Sequence, residues 1–226
     1  MAEQVDRIDF YLDPMCPWAY QTSKWIREVR KHTGLGIDWR FFSLEEINRT
    51  DGKKHPWERE WSYGWSQMRV GAYLRRQSGD AVDQWYAAIG QAFHEEGRPT
   101  HDPDVHQEIL SGIGFEDDVV QAAIADPTTS DEVRADHDHV VDRYAAFGVP
   151  VLVFPNDHPL FGPVVVPAPT GDEAVRLWEL TVGWTEFPHL YELRKPKTDD
   201  DLRHIGEAFD PYLRAREWNT IENPAP

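Results

Sequence analysis

The chain has 226 residues, 23 basic against 40 acidic side chains and one cysteine, for a formal charge of -17. A chain this long buries about 70% of the surface its unfolded form exposes, so it needs neither disulfides nor a structural metal to hold a core. The surplus of acid repels phosphate backbones and anionic bilayers at long range, which points to small molecules or proteins as partners, and a lone Cys16 excludes both an internal disulfide and a cysteine-built zinc site.

Residues Met1 to Arg7 lack the basic start, apolar stretch and small-residue cleavage site of a secretory leader. No apolar run nears the roughly 20 residues that cross a bilayer. The expectation is a cytoplasmic chain, with no membrane partner and its thiol kept reduced. Residues 5 to 12 (VDRIDFYL) alternate, with Ile8, Phe10 and Leu12 on one side, and predict a strand that ends at the turn signal Asp13-Pro14. From Pro17 the spacing of Trp18, Thr22, Trp25, Ile26 and Val29 turns helical, and Gly34 and Gly36 end the run. Residues 37 to 42 (IDWRFF) predict a second strand, parallel to the first if the crossover is right-handed.

Residues 46 to 147 are expected to be helical throughout. Trp57, Trp61, Trp65, Met68 and Ala72 form one stripe, Trp85, Ala88, Ile89, Ala92 and Phe93 a second, and Val133, His137, Val140, Tyr144 and Phe147 a third. Breaks fall at Ser78-Gly79, Gly97-Arg98-Pro99 and Asp126-Pro127. Strand character returns at Pro150 to Phe154 and at Phe161 to Val166, around a turn at Asn156-Asp157-His158, and Gly171 to Trp184 predicts a helix. The expected division is an α/β core of residues 1–45 and 148–195, an all-helical insertion of residues 46–147, and a tail of residues 196–226 packed on the surface. A strand-helix-strand unit with helices inserted before the third strand is the plan of a thioredoxin-like fold; the alternation by itself establishes only α/β.

The chemistry centres on Asp13-Pro14-Met15-Cys16-Pro17-Trp18-Ala19-Tyr20. Cys16 falls at the N-cap of the first helix and Pro17 at its first position, where a missing N–H costs nothing. Unpaired N–H groups and the positive end of the helix dipole both favour thiolate, so the expectation is a lowered pKa and a nucleophile. The competing reading of a lone cysteine is a small buried hydrophobe.

The segments FYLDPMCPWAY, FFSLEEIN, WSQMRVGAY, GVPVLVF and FGPVV together resemble the DsbA-like thioredoxin-fold proteins, in particular the actinobacterial mycothiol-dependent reductases that act on nitro compounds. The resemblance spans most of residues 5 to 195 and implies a thiol-dependent oxidoreductase acting on a small disulfide, quinone or nitro compound. Carried over by position, Cys16 is the catalytic cysteine and Pro17 and Trp18 are its neighbours. Pro150 is a cis-proline beside the sulfur, Val149 offers backbone to a thiol partner, and Asn48, Trp57 and His137 line the pocket. The implied co-substrate is a low-molecular-weight thiol, mycothiol or glutathione, and the implied state a monomer or homodimer. Relatives of that branch carry Cys-Pro-Trp-Cys, whereas the fourth position here is Ala19. A mixed disulfide at Cys16 therefore has to be resolved by an external thiol.

The same stretch is similar to the kappa-class glutathione transferases and 2-hydroxychromene-2-carboxylate isomerases, in which a serine precedes the proline and orients a bound thiolate. That makes a thiol-dependent transferase or isomerase the second reading, and a binding protein without turnover the third. Among weaker signals, the tryptophan stripe reads as core, with Trp57 at its leading end also able to reach the site. His137 reads as a core or a pocket histidine. His137-Asp138-His139 is no metal site, because residues two apart on a helix face different ways. Asp117-Asp118 and Asp199 to Asp201 read as solvated surface, and the glycines carry no nucleotide fingerprint.

Overall fold

The structure, a computed structural model, describes residues 5–215. Its frame is a four-stranded sheet of β1 (Arg7–Leu12), β2 (Gly36–Phe41), β3 (Val151–Phe154) and β4 (His158–Phe161), in the order β2-β1-β3-β4. β1 and β2 run parallel, with Phe10 opposite Trp39 and Leu12 opposite Phe41. Both β1 with β3 and β3 with β4 are antiparallel, with Phe10 opposite Leu152 and Leu152 opposite Leu160. β1 and β3 are central, and their side chains are almost all buried, as strands covered on both faces require. The expected strand at Phe161 to Val166 is displaced: β4 ends at Phe161, and Gly162 and Val166 each precede a cis proline, a residue that has no N–H to continue a ladder.

α1 (Pro17–Thr33) crosses from β1 to β2 and ends at Gly34, whose φ of 76° is left-handed. It buries Trp25, Ile26 and Val29. α8 (Gly171–Trp184) packs beside it, with the Trp25 indole N–H donating to the Ala174 carbonyl at 3.0 Å.

Between β2 and β3 lie six helices: α2 (Leu44–Ile47), α3 (Tyr63–Arg75), α4 (Gly79–His94), α5 (Pro103–Gly112), α6 (Val119–Ala125) and α7 (Thr128–Tyr144). Their second and third stripes carry the packing expected, with Trp85, Ile89 and Phe93 on α4 and Val133, His137 and Val140 on α7 buried. Three positions depart from the stripes. Trp57 belongs to a 3-10 turn (Pro56–Glu58) and Trp61 to the loop after it, because α3 does not begin until Tyr63. The α3 start is fixed by Glu45, whose carboxylate accepts from Gly64 N–H and Trp65 N–H at 3.0 Å each. Phe147 lies past the end of α7 and is 70% exposed.

The tail is more regular than its charge suggests. It forms α9 (Asp199–Ala208), opened by a Thr198/Asp201 capping box, and α10 (Asp210–Ala215), and it buries Phe209 and Tyr212. Residues 216–226 of the expected tail lie outside the described residues.

Candidate active site around Cys16

β1 runs toward the site and hands over to α1 through Asp13-Pro14-Met15, a loop locked from within. The Cys16 N–H donates to the Asp13 carbonyl at 2.9 Å, and the Asp13 carboxylate accepts from the N–H groups of Met15 and Leu44, both at 2.8 Å. Asp13 is fully buried. Burial raises its pKa to about 7 against the opposing pull of those two N–H groups. Gly64 passes so close that a Cβ there would sit 2.8 Å from an Asp13 oxygen, so α3 can approach the loop only with glycine at that position. Behind the loop, His94 Nε2 donates to the Pro14 carbonyl at 2.9 Å and the Gln67 amide to the Met15 sulfur at 3.3 Å. Burial lowers the His94 pKa to about 4, which leaves the ring neutral.

Cys16 is the N-cap of α1, with Pro17 inside its first turn. The Ala19 N–H donates to Sγ at 3.4 Å, and Sγ in turn lies 3.5 Å from the Val149 carbonyl, to which its S–H donates. Val149 precedes Pro150 through a cis peptide bond. Cys16 is 6% exposed and packs in an apolar cluster with Tyr11, Ala19, Phe42, Val140, Val149 and Val151.

This enclosure corrects the expected acidity. Burial pushes the Cys16 thiol up to about 12, outweighing the Ala19 N–H, and the buried Asp13 adds to the rise. The helix terminus favours thiolate, but the same sulfur is withdrawn from water and donates to a carbonyl, and desolvation is the larger effect.

The other candidates divide. Trp18 is half-buried between the Cys16 cluster and a second cluster made by Met15, Phe93, Phe209 and Tyr212. His137 is buried at one edge of Phe42, ring centroids 5.0 Å apart, and its Nδ1 accepts the Ser43 N–H at 3.1 Å. That bond puts the ring proton on Nε2, and burial lowers the ring's pKa. Trp57 and Asn48 are not brought to the sulfur. The Trp57 ring stacks on His55 at 4.3 Å, carries the Arg134 guanidinium at 4.5 Å and packs against the main core rather than the Cys16 cluster. Asn48 is exposed and its amide donates to Leu44 of its own helix at 2.8 Å.

Two hollows, one lined by Trp39, Arg40 and Arg75 and the other by Asp9, Tyr11 and Asp136, do not reach Cys16. Among the described residues no group of three or more His, Cys, Asp or Glu is placed to hold a metal, and no helix is long and apolar enough to cross a membrane.

Sequence reasoning treats Asp13 only as part of a turn and misses Ser43, Phe42, Phe209 and Tyr212. Ser43 is the one with a local signal: Ser-x-x-Glu is a capping signature, and the Ser43 hydroxyl accepts the Glu46 N–H at 3.1 Å.

Comparison with known proteins gives two kinds of likeness. A model of the family described as Rv2466c-like, mycothiol-dependent nitroreductase Rv2466c, matches residues 15–195. The uncharacterized protein Rv2286c of Mycobacterium tuberculosis is 51% identical over 214 residues, covering 95% of this chain and 92% of its own. Among solved structures, the probable DsbA oxidoreductase SCO1869 of Streptomyces coelicolor superposes with a TM-score of 0.57 at 19% identity, over 85% of this chain and 92% of that one. A 2-hydroxychromene-2-carboxylate isomerase does so with a TM-score of 0.55 at 15% identity, over 80% and 95%. These distant structures speak to the fold alone, which is thioredoxin-like with helices inserted between the second and third strands.

Proposed function

Because the chain belongs to the Rv2466c-like family of mycothiol-dependent nitroreductases, an oxidoreductase family, we infer that it works as a single-cysteine reductase in which Cys16 bonds to the sulfur of a low-molecular-weight thiol. The observation that carries this reading is the pair of contacts on Sγ, with the Ala19 N–H on one side and the Val149 carbonyl beside cis-Pro150 on the other.

At rest the thiol keeps its proton on Sγ and donates it to the Val149 carbonyl. An extended thiol partner whose amide N–H takes that carbonyl leaves Sγ with the Ala19 N–H alone, a change that favours thiolate. In a mixed disulfide between an acceptor and the small thiol, the thiolate attacks the small-thiol sulfur; that S–S bond breaks, Cys16 becomes disulfide-bonded to the small thiol, and the acceptor departs as a thiolate that takes up the proton Cys16 released. With Ala19 in the resolving position, a second free thiol attacks the mixed disulfide, restores the Cys16 thiolate and leaves as the symmetrical disulfide. For a nitro acceptor, two free thiols supply two electrons and two protons. The nitro group becomes nitroso with loss of water, and the thiols leave joined as one disulfide. Trp18, half-buried next to the sulfur, is the side chain on which a flat acceptor rests, and His137, whose Nδ1 takes the Ser43 N–H, keeps its Nε2–H as a donor.

Intact-mass measurement after incubation with oxidised mycothiol or glutathione tests the reading. The expected result is one thiol adduct, absent from Cys16→Ser and released by free thiol. No adduct between pH 6 and 9 overturns it. A Cys16→Ser protein that keeps thiol-dependent turnover directs the assignment to a transferase or isomerase instead.

A further inference from the structure

The chain between α8 and α9 is exposed and without regular structure over most of residues 187–198. The two helices after it are weakly anchored. α9 buries no residue fully, and the pair α9 and α10 is held by Phe209 and Tyr212, which are 7% and 5% exposed. Phe209 meets the Trp18 indole edge-on, ring centroids 4.7 Å apart and planes at 84°. It shares an apolar cluster with Met15. Tyr212 packs on Phe93 and His94, with centroids 5.3 and 5.2 Å away. His204 reaches the Val166 carbonyl at 3.4 Å, so the strap also ties to the chain after β4.

Met15 and Trp18 flank Cys16-Pro17, and both are covered by the same two helices. The family match ends at residue 195, so this cover is no part of what the family model describes.

We propose that Phe209 is a specificity-determining residue of the Cys16 site: seated against Trp18, it closes the acceptor side and sets how large a reactant reaches the sulfur. The proposal rests on the reading of Cys16 as the reacting group. An edge-to-face aromatic contact adds only modestly to what its buried area contributes. Held in place by this contact, α9 and α10 admit slender reactants, and bulky ones only when Phe209 leaves. Its ring stands at 84° to the Trp18 plane, so a flat aromatic acceptor that comes to rest on Trp18 has to displace it.

The test compares second-order labelling rates of Cys16 by iodoacetamide and by a pyrene maleimide at pH 8, each relative to free cysteine. Wild type is expected to disfavour the bulky reagent at least 100-fold more than free cysteine does. Phe209→Ala is expected to reduce that discrimination at least tenfold, Phe209→Leu to reduce it less, and Phe209→Trp to keep it. Val133→Ala, which loosens the main core at a distance, is expected to leave the ratio at the wild-type value. Wild type without size discrimination, an unchanged ratio in folded Phe209→Ala, or an equal change in Val133→Ala each overturns the role of Phe209 while leaving Cys16 as the reacting group. A Cys16 that labels in urea but with neither reagent in any folded variant overturns both.

Discussion

At Cys16 two contacts act in opposite directions: the Ala19 N–H stabilises negative sulfur, and the Val149 carbonyl stabilises the proton on it. With burial added, the proton wins, and the thiol is pushed up to about 12. Iodoacetamide labelling of wild type is therefore expected to rise about tenfold per pH unit from 7 through 10, whereas a free thiol with a pKa near 8.5 levels off above pH 9. A plateau below pH 9 contradicts the burial argument. The position of Cys16 at a helix N-cap ahead of Pro17 is legible in eight consecutive residues. Its acidity is not, because more than half of the cluster that desolvates it, Val140, Val149 and Val151 among them, lies more than a hundred residues further along the chain. Asp13 illustrates the same limit. Asp-Pro announces a turn, but nothing local announces that both carboxylate oxygens are spent on the N–H groups of Met15 and Leu44.

At the scale of elements, periodicity finds the strands and the long helices and fails where a cap decides the boundary. Trp57, Trp61 and Trp65 keep helical spacing, yet Pro56 and the Glu45 cap place the α3 start after the first two. Charge dominates the tail's sequence, while the two buried aromatics that dock it are single residues without a repeat. Helix packing also leaves a sharp signature in two glycines. A Cβ on Gly90 in α4 would lie 2.3 Å from the Tyr20 ring of α1, while one on Gly183 in α8 would meet nothing within 4 Å. Gly90→Ala is expected to lower unfolding free energy by about 2 kcal/mol or more through overpacking. Gly183→Ala should raise it by about 0.5 kcal/mol through helix propensity. Urea denaturation of the two variants checks both signs, and a stable Gly90→Ala would show that α1 and α4 can separate without cost.

For the whole molecule, buried titratable groups set a pH profile with two opposed contributions. His94 and His106 are both buried with pKa values lowered to about 4 by desolvation. The unfolded chain takes up their protons near pH 6.5, so their stability is present above that pH and is lost as pH falls toward 4. Asp13, raised to about 7 by burial, acts in reverse: its contribution is present below about pH 4 and is lost as pH rises through 7. Each amounts to about 2 kcal/mol between pH 7 and 5. From these three groups wild type is thus expected to lose about 2 kcal/mol on acidification over that range, His106→Gln to lose about 2 kcal/mol less than wild type, and Asp13→Asn about 2 kcal/mol more. Denaturant titrations at the two pH values measure the three slopes, and parallel slopes would contradict the burial of these groups.

The contact between Cys16 and Val149 spans 133 positions of the chain, and that separation has a cost in time. A ribosome adding about 5–20 residues per second releases Cys16 well before the β3 segment that will cover it exists, and Phe209 arrives later still. During those seconds the one thiol is bare to oxidants and to cellular thiol disulfides. A nascent chain capped at that sulfur would meet Val149 with a bulky group in the way. Synthesis of this protein is thus the stage at which its single cysteine is least covered.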